Sequence, residues 1–181
     1  MRTYCGEYVE KNFTESDIDD EYIGWLNDRE VNKYLEIRNT KWDNEKALSY
    51  YQEQIKNTLI RYKKIVKDDK KIGTVRISTK LDQNSFDVGY MIGHKGEWGK
   101  KAGMAAIAIA MEIGFYELGK DFHYGSIRGA NIMARLTAKK MGLVEYKKEN
   151  GAYQRDGIKD DIVYVTIAKE KWADQRTRYI T

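Results

Sequence analysis

Residues 86–118 read FDVGYMIGHKGEWGKKAGMAAIAIAMEIGFYEL, and the order of elements in this stretch decides the fold. Phe86 to Gly93 reads as an apolar strand. A turn rich in glycine and lysine follows, and then a long apolar helix from Met104 to Leu118. A strand that hands a glycine-rich turn to a helix N-terminus builds an anion site. The first helical N–H groups lack intrahelical partners, and the helix dipole is positive at that end. The pattern predicts an anionic cofactor at the turn and a substrate cleft beside it. Along the helix, Met104, Ala108, Met111, Phe115 and Leu118 make one apolar stripe, widened by Ile107, Ile109 and Ile113. A stripe that broad predicts a helix buried along most of its surface, as under a sheet.

Upstream, Leu59–Val66, Lys71–Thr79 and Phe86–Gly93 read as three strands separated by the polar turns KDDKK and LDQNS, an antiparallel meander. Before them, Tyr4–Val9 reads as a short edge strand. Ser16 reads as the cap of a helix whose apolar face is Ile18, Tyr22, Trp25 and Leu26. Trp25 to Asn39 contains the end of that helix, a turn at Asn27-Asp28 and a second short helical piece. Asp43 starts a further helix with Leu48, Tyr51 and Ile55 on one face. Downstream come a strand at Asp121–Ile127 and a helix at Asn131–Lys140 stopped by Gly142. Val144–Tyr153 and Ile162–Ala168 read as two closing strands. The sum is a single α/β domain over residues 1–181, with a mixed, mostly antiparallel central sheet flanked by helices.

The chain has 181 residues, 32 Lys+Arg against 28 Asp+Glu, and a net charge of +4. The signs alternate along the sequence, so this mild excess suits a phosphate-bearing ligand without implying nucleic acid. A lone cysteine, Cys5, cannot close an internal disulfide, which points to a reducing cytoplasm; no histidine lies near it to make it a nucleophile. No apolar run approaches the roughly 20 residues of a membrane span, and the start MRTYCGEYVEKN is too polar for a signal peptide. No membrane association and no metal are expected.

Two phosphate motifs fail. A P-loop needs a glycine five residues before Gly99-Lys100, where His94 stands, and a Ser/Thr where Lys101 stands. A dinucleotide fingerprint needs G-x-G-x-x-G after a parallel strand, and Gly96-x-x-Gly99 after a meander strand supplies only part of it. What remains, WGKKAGMAA preceded by DVGYMIG, resembles motif A of the GNAT N-acetyltransferase superfamily, with the pattern Q/R-x-x-G-x-G/A. Trp98 takes the first position, Lys101 the first glycine and Gly103 the last small residue. Trp98-Gly99-Lys100 and Ala106 also match the WGKGYATEA of many relatives. NIMARLTAKKMGL resembles the family's N-x-x-S-x-x-x-x-x-K-x-G-F: Asn131, Lys140 and Gly142 match, while Ala134 replaces serine and Leu143 phenylalanine. SDIDDEYIGWLNDREVNKYLEIR resembles a substrate-side segment of two branches, the ribosomal-protein N-terminal acetyltransferases and the N-acetyltransferases of nucleotide-linked amino sugars.

The resemblance implies acetyl-CoA as co-substrate. Its pyrophosphate would lie on the N–H groups of Gly99, Lys100, Lys101, Ala102, Gly103 and Met104, with Lys100 or Lys101 adding charge. Its pantetheine arm would lie along Met91, Ile92 and Gly93, where the strand splays from its neighbour, and an N–H near Ile92 would polarise the thioester carbonyl. Trp98 and Asn131 complete the implied cofactor site. Asp87 stands where relatives carry a glutamate base, with His94 as the other titratable group. The tyrosine that protonates the departing thiolate in relatives is here Ala138, leaving Tyr90 and Tyr124 as donors. Trp25, Asp28, Glu36 and Arg38 would line the acceptor side, acids holding an ammonium and arginine a phosphate or carboxylate. The acceptor implied is a small-molecule primary amine, foremost a nucleotide-linked amino sugar, or else a peptide N-terminus, served by a monomer or homodimer. A non-catalytic CoA-binding module is the alternative.

Overall fold

The computed structural model describes residues 2–79, 83–155 and 157–181. The seven strands are β1 (Val9–Asn12), β2 (Ile60–Lys67), β3 (Lys70–Thr79), β4 (Ser85–Ile92), β5 (Phe122–Arg128), β6 (Val144–Arg155) and β7 (Ile158–Ala168). They form one sheet in the order β1-β2-β3-β4-β5-β7-β6. Every neighbouring pair is antiparallel except β4 and β5. The helices are α1 (Asp20–Asn27), α2 (Asn44–Lys56), α3 (Ala102–Glu112), α4 (Ile132–Lys140) and α5 (Lys169–Ala173). The expected mixed α/β sheet and its strand–helix order are present; the LDQNS turn falls partly on residues 80–82, outside the described residues.

Period-two alternation sorts the meander's side chains onto two faces. Val75 and Ile77 of β3 and Phe86 of β4 pack with the buried length of α3, from Ala105 to Met111, and a register shift against β2 at Ile65/Val66 brings Ile72 to the same core. On the other face, Met91 packs with Tyr22, Trp25 and Leu26 of α1, Ala47 and Tyr51 of α2, Phe13 and Trp42. Each fully buried large side chain contributes about 1.5–3 kcal/mol, so both helical layers are held on the sheet mainly by apolar burial. Helix α3 runs into a π turn, Ile113–Glu117, where Leu118 N–H reaches the Ile113 carbonyl at 2.8 Å. Gly114 stands at that turn because a Cβ there would lie 2.3 Å from the Phe86 ring.

Four local expectations are corrected. Tyr4–Val9 is not a strand: Cys5 (φ 52°) and Gly6 (φ 80°) fold Tyr4 back onto Tyr8, and pairing with β2 begins at Val9. Ser16 caps no helix. Thr14 and Asp17 cap each other around a single 3₁₀ turn, and Asp19 then caps α1 by accepting from Tyr22 N–H at 2.8 Å. The segment after α1 forms successive turns rather than a second helix. On α2, which Asp43 does cap, Ala47 and Tyr51 turn inward and Ile55 stays 47% exposed.

Candidate active site

The parallel pair β4–β5 is joined at only two positions, Ser85↔Phe122 and Phe86↔His123, and the strands then diverge. On its other edge β4 stays paired to β3 from Phe86 to Ile92. Antiparallel ladders turn alternate residues' polar groups to opposite sides. Gly93 N–H donates to Ile72 O at 3.0 Å, toward β3, so Tyr90 and Ile92 present their N–H groups to the opening left by β5. The Ile92 carbonyl points that way too, accepting the Trp98 indole N–H at 2.8 Å. The opening widens into a cleft of about 620 Å³.

At one end of the cleft lies the turn before α3. Gly99 supplies its left-handed residue at φ 74°, a conformation that a side chain would strain. Lys101 sits at φ −89°, ψ −1°, ordinary right-handed backbone, so it fits where the family pattern has glycine; its side chain turns outward, 3.9 Å from Glu7. The first α-helical bond here runs from Ala105 N–H to Lys101 O, leaving the N–H groups of Ala102, Gly103 and Met104 without intrahelical acceptors. Trp98, Gly99, Lys100 and Gly103 line the cleft, as do Met91 and Ile92; Lys101, Ala102, Met104 and Gly93 are outside the lining. Beneath the turn Glu97 is a clamp. Tyr8 O–H donates to it at 2.6 Å, and Lys100 and Lys67 reach it at 3.1 and 3.4 Å. The Tyr8 hydrogen bond and the two ammoniums hold its carboxyl down at about 2.

Asp87 follows the last β4–β5 pair and shares its face with Arg76 of β3. Its Oδ1 lies 3.4 Å from the position of a Cβ on Gly125 of β5; the residue is exposed and sits beside the opening, outside the cleft lining. Desolvation there raises its pKa, outweighing the Val88 N–H bond and the Arg76 charge. Tyr90 lines the cleft and places its hydroxyl 3.8 Å from the Cβ position of Gly103; burial pushes its pKa up to about 12. Tyr124 stands outside the cleft, 44% exposed in a row of rings with Phe122 and Tyr146. His94 is exposed and folds over Gly96, away from the cleft lining. Asn131 lines the cleft and caps α4, its Oδ1 accepting from Ala134 N–H at 3.2 Å.

Among the residues expected on the acceptor side, Trp25 is corrected to core. It is buried against Gly93, where a Cβ would lie 1.9 Å from the indole, and it does not line the cleft. Asp28 lies outside the lining, paired with Lys95 at 2.8 Å and accepting from Glu30 N–H. Arg38 is likewise outside it, donating to Lys33 O at 3.4 Å. Glu36 lines the cleft and pairs with Arg155 at 3.1 Å. The sequence reading left out Tyr34, Tyr62, Arg76, His123 and Arg128, all of which line the cleft. No pattern in the sequence located them.

Acetyltransferase structures share this architecture. Spermidine N-acetyltransferase from Vibrio cholerae, solved in complex with CoA and spermine, superposes with a TM-score of 0.81 over 92% of this chain and 98% of its own, at 16% identity. A GNAT-family acetyltransferase from Bacillus anthracis gives 0.78 over 94% and 99%, at 13% identity. No curated protein matches the chain in sequence. The family model described as an acetyltransferase (GNAT) domain matches residues 11–144, a span that contains the meander, the splayed strands, the α3 turn and α4. The chain therefore belongs to the GNAT acetyltransferases and is an N-acetyltransferase with acetyl-CoA as its co-substrate.

Proposed function

We propose that the chain transfers the acetyl group directly to a small-molecule primary amine held with acetyl-CoA in the β4–β5 cleft. The observation that carries this reading is the separation of β5 from β4 after Phe86, which leaves the N–H groups of Tyr90 and Ile92 facing an open cleft. The chain's groups suit the co-substrate. Three unpartnered N–H groups at the start of α3 match the pyrophosphate, and the edge of β4 matches the extended pantetheine arm. Ile92 N–H donates to the thioester oxygen as charge builds on it. Asp87 accepts the acceptor's ammonium proton, directly or through one water, so that the nitrogen lone pair attacks the carbonyl carbon. As the C–S bond breaks, the sulfur keeps the electron pair, and the second proton of the attacking nitrogen passes to solvent or to the departing thiolate, leaving a neutral amide. Tyr90 steadies the sulfur with its O–H, and a thiolate whose conjugate acid has a pKa near ~8.5 is a tolerable leaving group. The acceptor classes are the nucleotide-linked amino sugar first and the peptide N-terminus second, since each presents a primary amine.

Asp87→Asn tests the chemistry. Removal of a general base lowers kcat by about 10²-fold or more and leaves the acetyl-CoA dissociation constant unchanged. Asp87 acts deprotonated, and its pKa is raised, so the wild-type kcat/KM falls on the acid side at a pH above the ordinary aspartate range. The variant loses that limb. Wild-type turnover by Asp87→Asn, with the acid limb intact, would remove the residue from the mechanism.

A further inference from the structure

Three carboxylates (Glu30, Glu36, Glu97) and three cations (Arg76, Lys100, Arg128) of the described residues line the cleft, but they are not paired alike. Among the described residues, each carboxylate that lines it is already paired: Glu30 with Lys95, Glu36 with Arg155 and Glu97 with Lys100. Of two arginines on the acceptor side, Arg76 shares a strand face with Asp87, and Arg128 is ion-paired with Asp160 through Nε alone. Arg76 donates to the neutral Gln54 Oε1 at 2.8 Å and Ser78 Oγ at 3.3 Å. Arg128, at the end of β5, is 8% exposed. Its guanidinium lies 3.6 Å from the centroid of the Tyr153 ring and 5.7 Å from that of Tyr34. Its Nε donates to Asp160 Oδ2 at 3.0 Å, and its buried Nη1 has no acceptor.

Arginine and a carboxylate ordinarily meet through two parallel N–H bonds. Asp160 takes one from Arg128; its remaining lone pairs accept the N–H groups of Ala130 at 3.1 Å and Asp161 at 2.8 Å. The ion pair and the stacked ring therefore fix the guanidinium plane and leave one edge of its fork unused. A buried donor without an acceptor in the chain is costly and is satisfied by water or by a ligand. The partner that fits a planar fork is an oxyanion.

We propose that Arg128 is the recognition residue for an oxyanion carried by the acceptor, a phosphate or a carboxylate, with Arg76 supplying the second positive charge. The proposal rests on the acetyl-transfer reading and narrows its substrate to amines that also bear a negative group. A polycation such as a polyamine would bring no group to fill the open edge of the Arg128 fork.

The test is calorimetric titration of the protein saturated with CoA, using phenyl phosphate, phenylacetate and benzylamine as probes. CoA binding, measured first, checks the cofactor half separately. The expected result is that one oxyanion probe binds at least tenfold more tightly than benzylamine; phenyl phosphate in the lead assigns a phosphate, phenylacetate a carboxylate. Arg128→Gln removes that advantage, while Arg128→Lys, which keeps the charge without the fork, retains part of it, and both variants bind CoA as before. Benzylamine binding as tightly as both oxyanions, or an oxyanion preference unchanged in Arg128→Gln, would overturn the proposal. Because the comparison of probes on the unaltered protein is decisive by itself, misfolding of a variant leaves the proposal testable.

Discussion

Gly103→Glu is expected to abolish acetyl-CoA binding while leaving the protein folded. Gly103 occupies the first turn of α3 and lines the cleft. A Cβ there meets Thr137 Cγ2 at 3.6 Å and the Tyr90 hydroxyl at 3.8 Å, both ordinary contacts, so the new side chain starts without a clash and extends into the opening. Near a helix N-terminus a carboxylate is itself favourable, by about 0.3–1 kcal/mol, so stability is preserved. The same carboxylate occupies the volume and the N–H groups assigned to the pyrophosphate. Two like charges about 4 Å apart repel by about 4 kcal/mol at an effective dielectric near 20, and each 1.4 kcal/mol is about tenfold in affinity. A loss of at least about 100-fold follows. Gly103→Ala, which adds only the tolerated methyl, stays within about threefold of the wild type. Titration of both variants with acetyl-CoA measures this; a Gly103→Glu protein that binds like the parent would move the pyrophosphate elsewhere.

Glu112→Ala is the variant expected to cost the most stability. Glu112 is fully buried at the end of α3. It accepts from Arg176 Nε at 2.7 Å and Nη2 at 2.6 Å, and from the Trp172 indole at 3.1 Å, so one carboxylate docks both α5 and the segment after it. Breaking a buried pair on one side typically costs about 3–5 kcal/mol because it strands the partner. Arg176 retains some access to water, its side chain being 36% exposed, which places the cost near the lower end, about 3 kcal/mol. For a domain of this size the corresponding fall in Tm is about 6–12 °C. Thermal and denaturant unfolding check the value. Removing both partners, in Glu112→Leu with Arg176→Leu, costs less than the sum of the single changes, since no charge is then stranded. A fall below about 1 kcal/mol in Glu112→Ala would mean that Trp172 packing alone holds the C-terminal segment.

What could be read from the sequence follows how far apart the cooperating residues lie. The strand, turn and helix of the cofactor half are contiguous between Phe86 and Leu118, so hydrophobic periodicity and one turn placed them. The structure starts the helix at Ala102 and passes it into a π turn at Ile113, and at Lys101 a right-handed backbone accommodates a side chain because Gly99 carries the positive φ. The acceptor half is assembled from β3, β5 and the turns after α1, and no local pattern joins Arg76, Arg128 and Tyr34. Trp25 marks the same limit from the other side. Helical spacing put it on the apolar face of α1, and only the contact with Gly93, 68 positions later, turns that face to the core. Arg128 falls in sequence between the strand ending at Ile127 and the helix starting at Asn131, and its meaning depends on Tyr153 and Asp160, more than 20 positions downstream.

The central claim is that the open edge of β4 and the start of α3 hold acetyl-CoA, and backbone amide resonances report on it residue by residue. In an ¹⁵N-labelled protein titrated with CoA, the account predicts that the amides of Tyr90, Ile92, Ala102, Gly103 and Met104 shift together and saturate with one dissociation constant. Neighbouring amides that point toward β3, such as Gly93, move less. Saturable binding that leaves those five resonances in place, while residues elsewhere on the sheet shift, would contradict it.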